Sequence, residues 1–128
     1  MERHVQEALN QMSTKMNLPP FQINGAGVIY LVLENAGELF IDVQPNAVYT
    51  YIFNTFDFLD YELTTEAMSF CGLDTAYTIP ANPVLRGDHD LGFAIKITTE
   101  DLTLVNLEGA INQLIDMAVH LRKLSIRL

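Results

Sequence analysis

Apolar positions along this chain follow two rhythms, and the longest unbroken stretch of either runs from Thr103 to Leu128. Leu104, Leu107, Ile111, Leu114, Ala118, Leu121 and Leu128 recur at spacings of three and four, with Ser125 the one polar member of the series. That spacing predicts a helix. Ala110, Met117 and Leu124 widen the seam, while Glu108, Asn112, Asp116, His120, Lys123 and Arg127 form a solvated back, so one side is built for burial. Asp101 and Glu108 near its start, and Arg122, Lys123 and Arg127 near its end, oppose the helix dipole. A first helix is predicted over residues 2–17 from Val5, Leu9, Met12 and Met16. It stops at Asn17-Leu18-Pro19-Pro20, where neither proline can donate a helical hydrogen bond.

The second rhythm has period two. Residues 28–34 and 38–44 are rich in β-branched and aromatic side chains, and Asn35-Ala36-Gly37 between them reads as a hairpin connection. Leu39, Ile41 and Val43 alternate with Phe40, Asp42 and Gln44. A third strand is predicted over 48–55 after the Pro45-Asn46 turn, with Tyr49, Tyr51 and Phe53 on one face and Val48, Thr50 and Ile52 on the other. The first strand likewise carries Val28, Tyr30 and Val32 opposite Ile29, Leu31 and Leu33. One layer of helices covers only one face of such a sheet, so the second apolar face calls for a partner, a dimer mate or a ligand.

Residues 64–71 read as a short helix, with Thr64 or Thr65 as N-cap, Glu66 in the first turn and Gly72 as the stop. A strand over 76–79, an irregular loop from Pro80 to Asp90, and a strand over 91–98 complete the chain. In the last strand Phe93, Ile95 and Ile97 face one way and Ala94, Lys96 and Thr98 the other. The prediction is an α+β domain spanning residues 1–128, with an antiparallel sheet of about five strands packed by N- and C-terminal helices. The element order is α-βββ-α-ββ-α.

Composition narrows the function. The 128 residues carry a net charge of −9, and none of the cations lies between Lys15 and Arg86. Glu34, Glu38, Asp42, Asp57, Asp60, Glu62, Glu66 and Asp74 all fall in that interval. Nucleic acid is repelled by such a surface, and a charged partner would be basic. Apolar runs stay short of the ~18 residues of a membrane span, and no signal-peptide pattern opens the chain, so a cytosolic protein without membrane insertion is expected. Cys71 stands alone and reads as packing in a reducing compartment.

Catalytic chemistry finds little support. Asp88-His89-Asp90 is the one place where metal-ligand types cluster, but no second cluster completes a site, and a polar hairpin loop is the simpler reading. Paired carboxylates such as Asp57 with Asp60 need burial or crowding before they do acid-base work. Gly25-Ala26-Gly27 precedes a strand, not the helix that a phosphate cradle requires. No enzyme, cofactor or metal is predicted.

With the elements in this order, the chain resembles class I type III secretion chaperones, the Tir chaperone family. Leu91-Gly-Phe-Ala-Ile-Lys-Ile, the link Thr-Thr-Glu-Asp-Leu-Thr-Leu and the helix from Val105 to Leu124 are similar to that family's last strand, acidic link and closing helix. Tyr30-Leu-Val-Leu-Glu-Asn-Ala-Gly-Glu-Leu-Phe-Ile-Asp resembles its first hairpin, and Met12 to Leu18 the end of its first helix. The stretch from Phe56 to Asp90, where the family places a dimerising helix and strand, matches only loosely. The resemblance implies a cytosolic homodimer that binds an extended segment near the N-terminus of a secreted effector and keeps it export-competent, with no ATP dependence of its own.

Assigning one sheet face to the helices leaves Val28, Tyr30, Val32, Phe40, Tyr49, Tyr51 and Phe53 as candidate partner contacts, by strand addition and side-chain pockets. The same residues could be ordinary core if the sheet is covered on both sides. The apolar surplus of the short helix gives Leu63, Met68, Phe70 and Leu73 as candidate dimer contacts. An alternative is a regulatory protein of the same fold that sequesters a partner such as a transcription factor or anti-activator. A small enzyme is a third, and would need a polar pocket around His89, Asp88 or Cys71.

Overall fold

A computed structural model describes residues 2–21, 25, 27–72 and 75–127. Helix α1 (Arg3–Lys15) is followed by the meander β1 (Val28–Leu33), β2 (Gly37–Val43) and β3 (Ala47–Thr55). Helix α2 (Tyr61–Phe70), the hairpin β4 (Asn82–Arg86) and β5 (Asp90–Thr98), a single 3-10 turn, and α3 (Leu104–Arg127) complete the chain. The five strands form one antiparallel sheet in the order β1-β2-β3-β5-β4. The α+β class and the order α-βββ-α-ββ-α are those predicted.

All three helices contribute to one core against one face of the sheet. Leu39, Ile41, Ile52, Phe93 and Ile95 from the strands meet Val5, Leu9 and Met12 of α1 and Leu107, Ile111, Leu114 and Leu121 of α3. Thr103 starts α3 by accepting the Asn106 N–H on its hydroxyl at 3.1 Å. Helix α1 ends before its prolines. Asn17 turns left-handed (φ 58°), and the Leu18 and Asn17 N–H groups bond the carbonyls of Ser13 and Thr14, a Schellman closure.

The middle of the chain departs from the sequence reading. Helix α2 begins at Tyr61, not Thr64, because Asp60 is its N-cap: its carboxylate accepts the Leu63 N–H at 2.8 Å. The segment 76–79 is not a strand. Gln113 of α3 accepts the Ile79 N–H (3.1 Å) and donates to the Ile79 carbonyl (2.8 Å), which ties that backbone to a helix and withholds it from the sheet. The fourth strand lies instead at Asn82–Arg86, inside the expected loop, despite Pro83. The Phe56 N–H bonds the His89 carbonyl, so in β5 the odd-numbered residues bond β3 and the even-numbered ones bond β4. Pro83 is opposite Phe93 and therefore points its missing N–H away from the sheet, the edge position that proline tolerates.

Candidate functional site

The seven residues predicted as partner contacts come together on the sheet face opposite the helices. The register aligns Val28 with Asp42 and Tyr49, Tyr30 with Phe40 and Tyr51, and Val32 with Glu38 and Phe53. Side chains opposite one another in an antiparallel ladder share a face, so β1, β2 and β3 lay down a continuous apolar and aromatic surface. Tyr30 and Phe40 rings are 4.9 Å apart, Phe40 and Phe53 6.0 Å, Tyr51 and Phe53 6.2 Å, and Tyr49 and Tyr51 6.3 Å. No helix of the described residues covers it. Tyr30 and Val32 remain 50% and 69% exposed, and Val28, Phe40, Tyr49 and Tyr51 are half-buried by one another.

Phe53 is buried by a residue the sequence reading did not single out. The Arg86 guanidinium lies over the Phe53 ring at 4.4 Å and the Phe40 ring at 5.2 Å. Two carboxylates hold it there, Asp90 at 2.9 Å and Glu38 at 3.0 Å. Tyr30 donates to the second Glu38 oxygen and Thr55 to the second Asp90 oxygen, both at 2.7 Å. The bond from Thr55, then that from Arg86, holds the Asp90 carboxyl below its ordinary value, and the Glu38 bond pushes the Tyr30 hydroxyl up. Gly92 makes room beneath, since a Cβ there would lie 2.9 Å from the Phe53 ring and 1.9 Å from the Ile52 carbonyl. A shallow depression of about 240 Å³ remains beside Arg86, lined by Val28, Phe40, Asp42, Tyr51 and Phe53.

The edge of this face is open. Gly27 C=O accepts the Val43 N–H, so in β1 the odd-numbered residues bond β2 and the backbone groups of Tyr30 and Val32 point outward. Among the described residues no strand pairs with that side of β1, and its six residues, Val-Ile-Tyr-Leu-Val-Leu, include neither charge nor proline to blunt it.

The dimer candidates divide. Met68 is 63% exposed on α2, in line with Tyr61, and Phe58 and Leu85 are exposed nearby in the chain and on β4. Leu63 and Phe70 belong instead to the chain's own core, because α2 turns that stripe inward; Phe70 stacks on His120 (4.6 Å) and on Phe93 (5.9 Å). Leu73 lies outside the described residues. A second polar assembly, also missed, hangs the segment after α2 from α3. Besides the Gln113 clamp, the Tyr77 hydroxyl meets His120 Nδ1 at 3.4 Å, with the Asp116 carboxylate near it. Burial, helped by Asp116, pushes the Tyr77 hydroxyl up to about 12.

Two of the residues weighed for catalysis, His89 and Asp90, are engaged within the sheet and its turn. His89 contacts the Phe56 carbonyl through Nδ1 at 3.0 Å within the β4–β5 turn, and Asp90 is committed to Arg86 and Thr55. Burial pushes the half-buried Cys71 thiol up, away from the reactive thiolate. Among the described residues no three His, Cys, Asp or Glu side chains gather as a metal site, and no helix is long and apolar enough to cross a membrane.

No protein-family model matches the sequence, and no curated protein matches it significantly. Solved structures do match the fold. A chain of the ExsC–ExsE complex superposes with a TM-score of 0.77 at 16% identity, over 97% of this chain and 96% of that one. The Yersinia pestis type III secretion chaperone SycH, crystallised with a stable fragment of YscM2, gives 0.67 at 14% identity over 91% and 98%. The heterodimeric ExoU–SpcU complex of the Pseudomonas aeruginosa type III secretion system gives 0.64 at 12% identity over 91% and 95%. The chain therefore has the fold of the class I type III secretion chaperones.

Proposed function

We propose that this protein is a cytosolic export chaperone that binds an extended segment near the N-terminus of a secreted effector and keeps it non-globular before export. The observation that carries the reading is the union of an open β1 edge with an uncovered aromatic face. An extended segment adding to the edge would satisfy the outward backbone groups of Tyr30 and Val32, with its alternate side chains beside Val28, Tyr30 and Val32, and its continuation would cross the face over Phe40, Tyr49, Tyr51 and Phe53. Solved proteins of the same fold were crystallised as complexes with protein partners, which supports a binding role over a catalytic one.

The working unit in this proposal is a homodimer formed through the outer side of α2 and β4, where Met68, Tyr61, Phe58 and Leu85 are exposed. That leaves the β1 edge, at the other end of the sheet, free on each copy.

Affinity capture from the native cytosol, with limited proteolysis of what co-purifies, tests the proposal. A stoichiometric partner protected over a stretch near its own N-terminus is the expected result. Protection confined to a folded domain of a DNA-binding protein would replace the chaperone by the regulator.

A further inference from the structure

The aromatic face already holds one cation of the chain's own. On one half, Arg86 from the edge strand β4 lies across Phe53 and Phe40 and ends on Glu38 of β2. On the other half, Asp42 stands four residues beyond Glu38 along β2 on the same face, beside Tyr49 and Tyr51, with no cation of the described residues in that place. Among the described residues Asp42 makes no ion pair, and its hydrogen bond comes from the neutral Gln44 amide at 2.6 Å. Lys96, at the far side of Tyr49, is held 5.9 Å from that ring. Asp42 also lines the depression with Val28, Phe40 and Tyr51. Aromatic faces beside an unpaired carboxylate favour a cation with an apolar stem.

We propose that Asp42 is a specificity-determining residue of this face: it takes a lysine or arginine of an extended partner segment whose neighbouring apolar side chains fill the depression beside it. The inference rests on the binding face named above and adds the chemistry of its occupant. On the face it presents, the occupant sets a basic residue two positions from an apolar one, because side chains two apart along a strand share a face. A second copy of the chain is a poor occupant, since each copy carries −9 and would bring like charge to the carboxylates. An anionic lipid surface is disfavoured for the same reason.

Three fluorescein-labelled twelve-residue peptides test this, each made of valine-serine-X-serine repeats with X arginine, glutamine or glutamate, so that valine and X share a face. Fluorescence anisotropy gives affinities for the full chain at physiological salt, and amide chemical shifts give the location. The arginine peptide is expected to bind with shifts along β1 and β2, and Asp42→Asn to weaken it about 10-fold, the loss of one desolvated ionic hydrogen bond. Asp57→Asn, at an exposed carboxylate outside the face, should leave that affinity unchanged. Asp42→Lys should reverse the preference towards the glutamate peptide.

Equal affinities for all three peptides, mapped to β1 and β2, would keep the docking face and overturn the ionic reading. Equal losses for Asp42→Asn and Asp57→Asn would also overturn it, by reducing the preference to the general acidic field. Shifts that avoid β1 and β2 altogether would remove the docking face itself, and the proposed function with it.

Discussion

The Arg86 guanidinium rests 4.4 Å from the centre of the Phe53 ring, joining the edge hairpin to the middle of the sheet. It is the first cation after Lys15 in the sequence, and it is shared by two carboxylates. Arg86→Ala should expose Phe53 and leave Glu38 and Asp90 unneutralised. Because the guanidinium is partly solvated, the expected loss is modest, about 1 kcal/mol by urea denaturation. Arg86→Lys should recover only part of it, since an ammonium cannot bond both carboxylates in one plane while covering a ring. Full recovery with lysine would show that charge alone matters.

Acid should weaken the same network. Asp90 has its carboxyl held below the ordinary 3.8 by Thr55 and Arg86, so the unfolded chain takes up its proton first as pH falls. Its contribution is complete above about pH 4 and is lost as pH drops through the lower native value. Asp90→Asn should be less stable than the parent at neutral pH, and the gap should close in thermal melts at lower pH. A gap of constant size would exclude titration of Asp90 as its source.

Alkali should act elsewhere. Tyr77 stays protonated up to about 12 in the fold, whereas a tyrosine in the unfolded chain ionises near the ordinary 10.0. Stability from this group is therefore complete below about pH 10 and declines between there and 12. Tyr77→Phe should flatten part of that decline and remove the last tyrosine to ionise by ultraviolet absorbance. An unchanged titration curve would place the late transition at Tyr30 or Tyr51, whose hydroxyls are also pushed up.

Two substitutions on one helix separate assembly from folding. Met68→Glu places a charge on the exposed side of α2 and should yield a folded monomer by light scattering. Phe70→Glu buries a carboxylate between His120 and Phe93 and should cost about 4 kcal/mol or more, seen as lost cooperative unfolding. A Met68→Glu protein that remains dimeric would move the interface off this side of α2.

Gly92→Ala tests the floor of the aromatic face. The added carbon would collide with the Ile52 carbonyl at 1.9 Å and press on the Phe53 ring, so about 1 to 3 kcal/mol should be lost. Ring-proton shifts of Phe53 should report the displacement; an unmoved ring with full stability would show that the backbone absorbs the carbon.

The parts of this fold with one dominant period were readable from the chain. The three-and-four spacing from Leu104 to Leu121 specified α3 and its buried side, and alternation placed Val28 through Phe53 on their faces. The middle was harder because its signals conflict. Pro83 argues against a strand until Leu91–Ile97 is known to supply an inner neighbour, leaving the proline N–H position outside the ladder. Arg86 and Glu38 are 48 residues apart and carry no local signature of their pairing. Asp116 and His120 follow the solvated rhythm of α3, yet they receive Tyr77 and Phe70 from the segment above them. Such contacts are chosen by tertiary position, which periodicity does not encode.

The open β1 edge has a colloidal consequence. Six uncharged, strand-forming residues, with the backbone groups of Tyr30 and Val32 turned outward, are as good a template for another copy of the chain as for a partner. The repulsion of −9 on each copy opposes such edge-to-edge pairing. Salt screens that repulsion over about 8 Å at physiological strength and about 3 Å at 1 M. The unpartnered protein should thus be held in solution by its charge and lose that protection in concentrated salt, while an occupied edge needs no such guard.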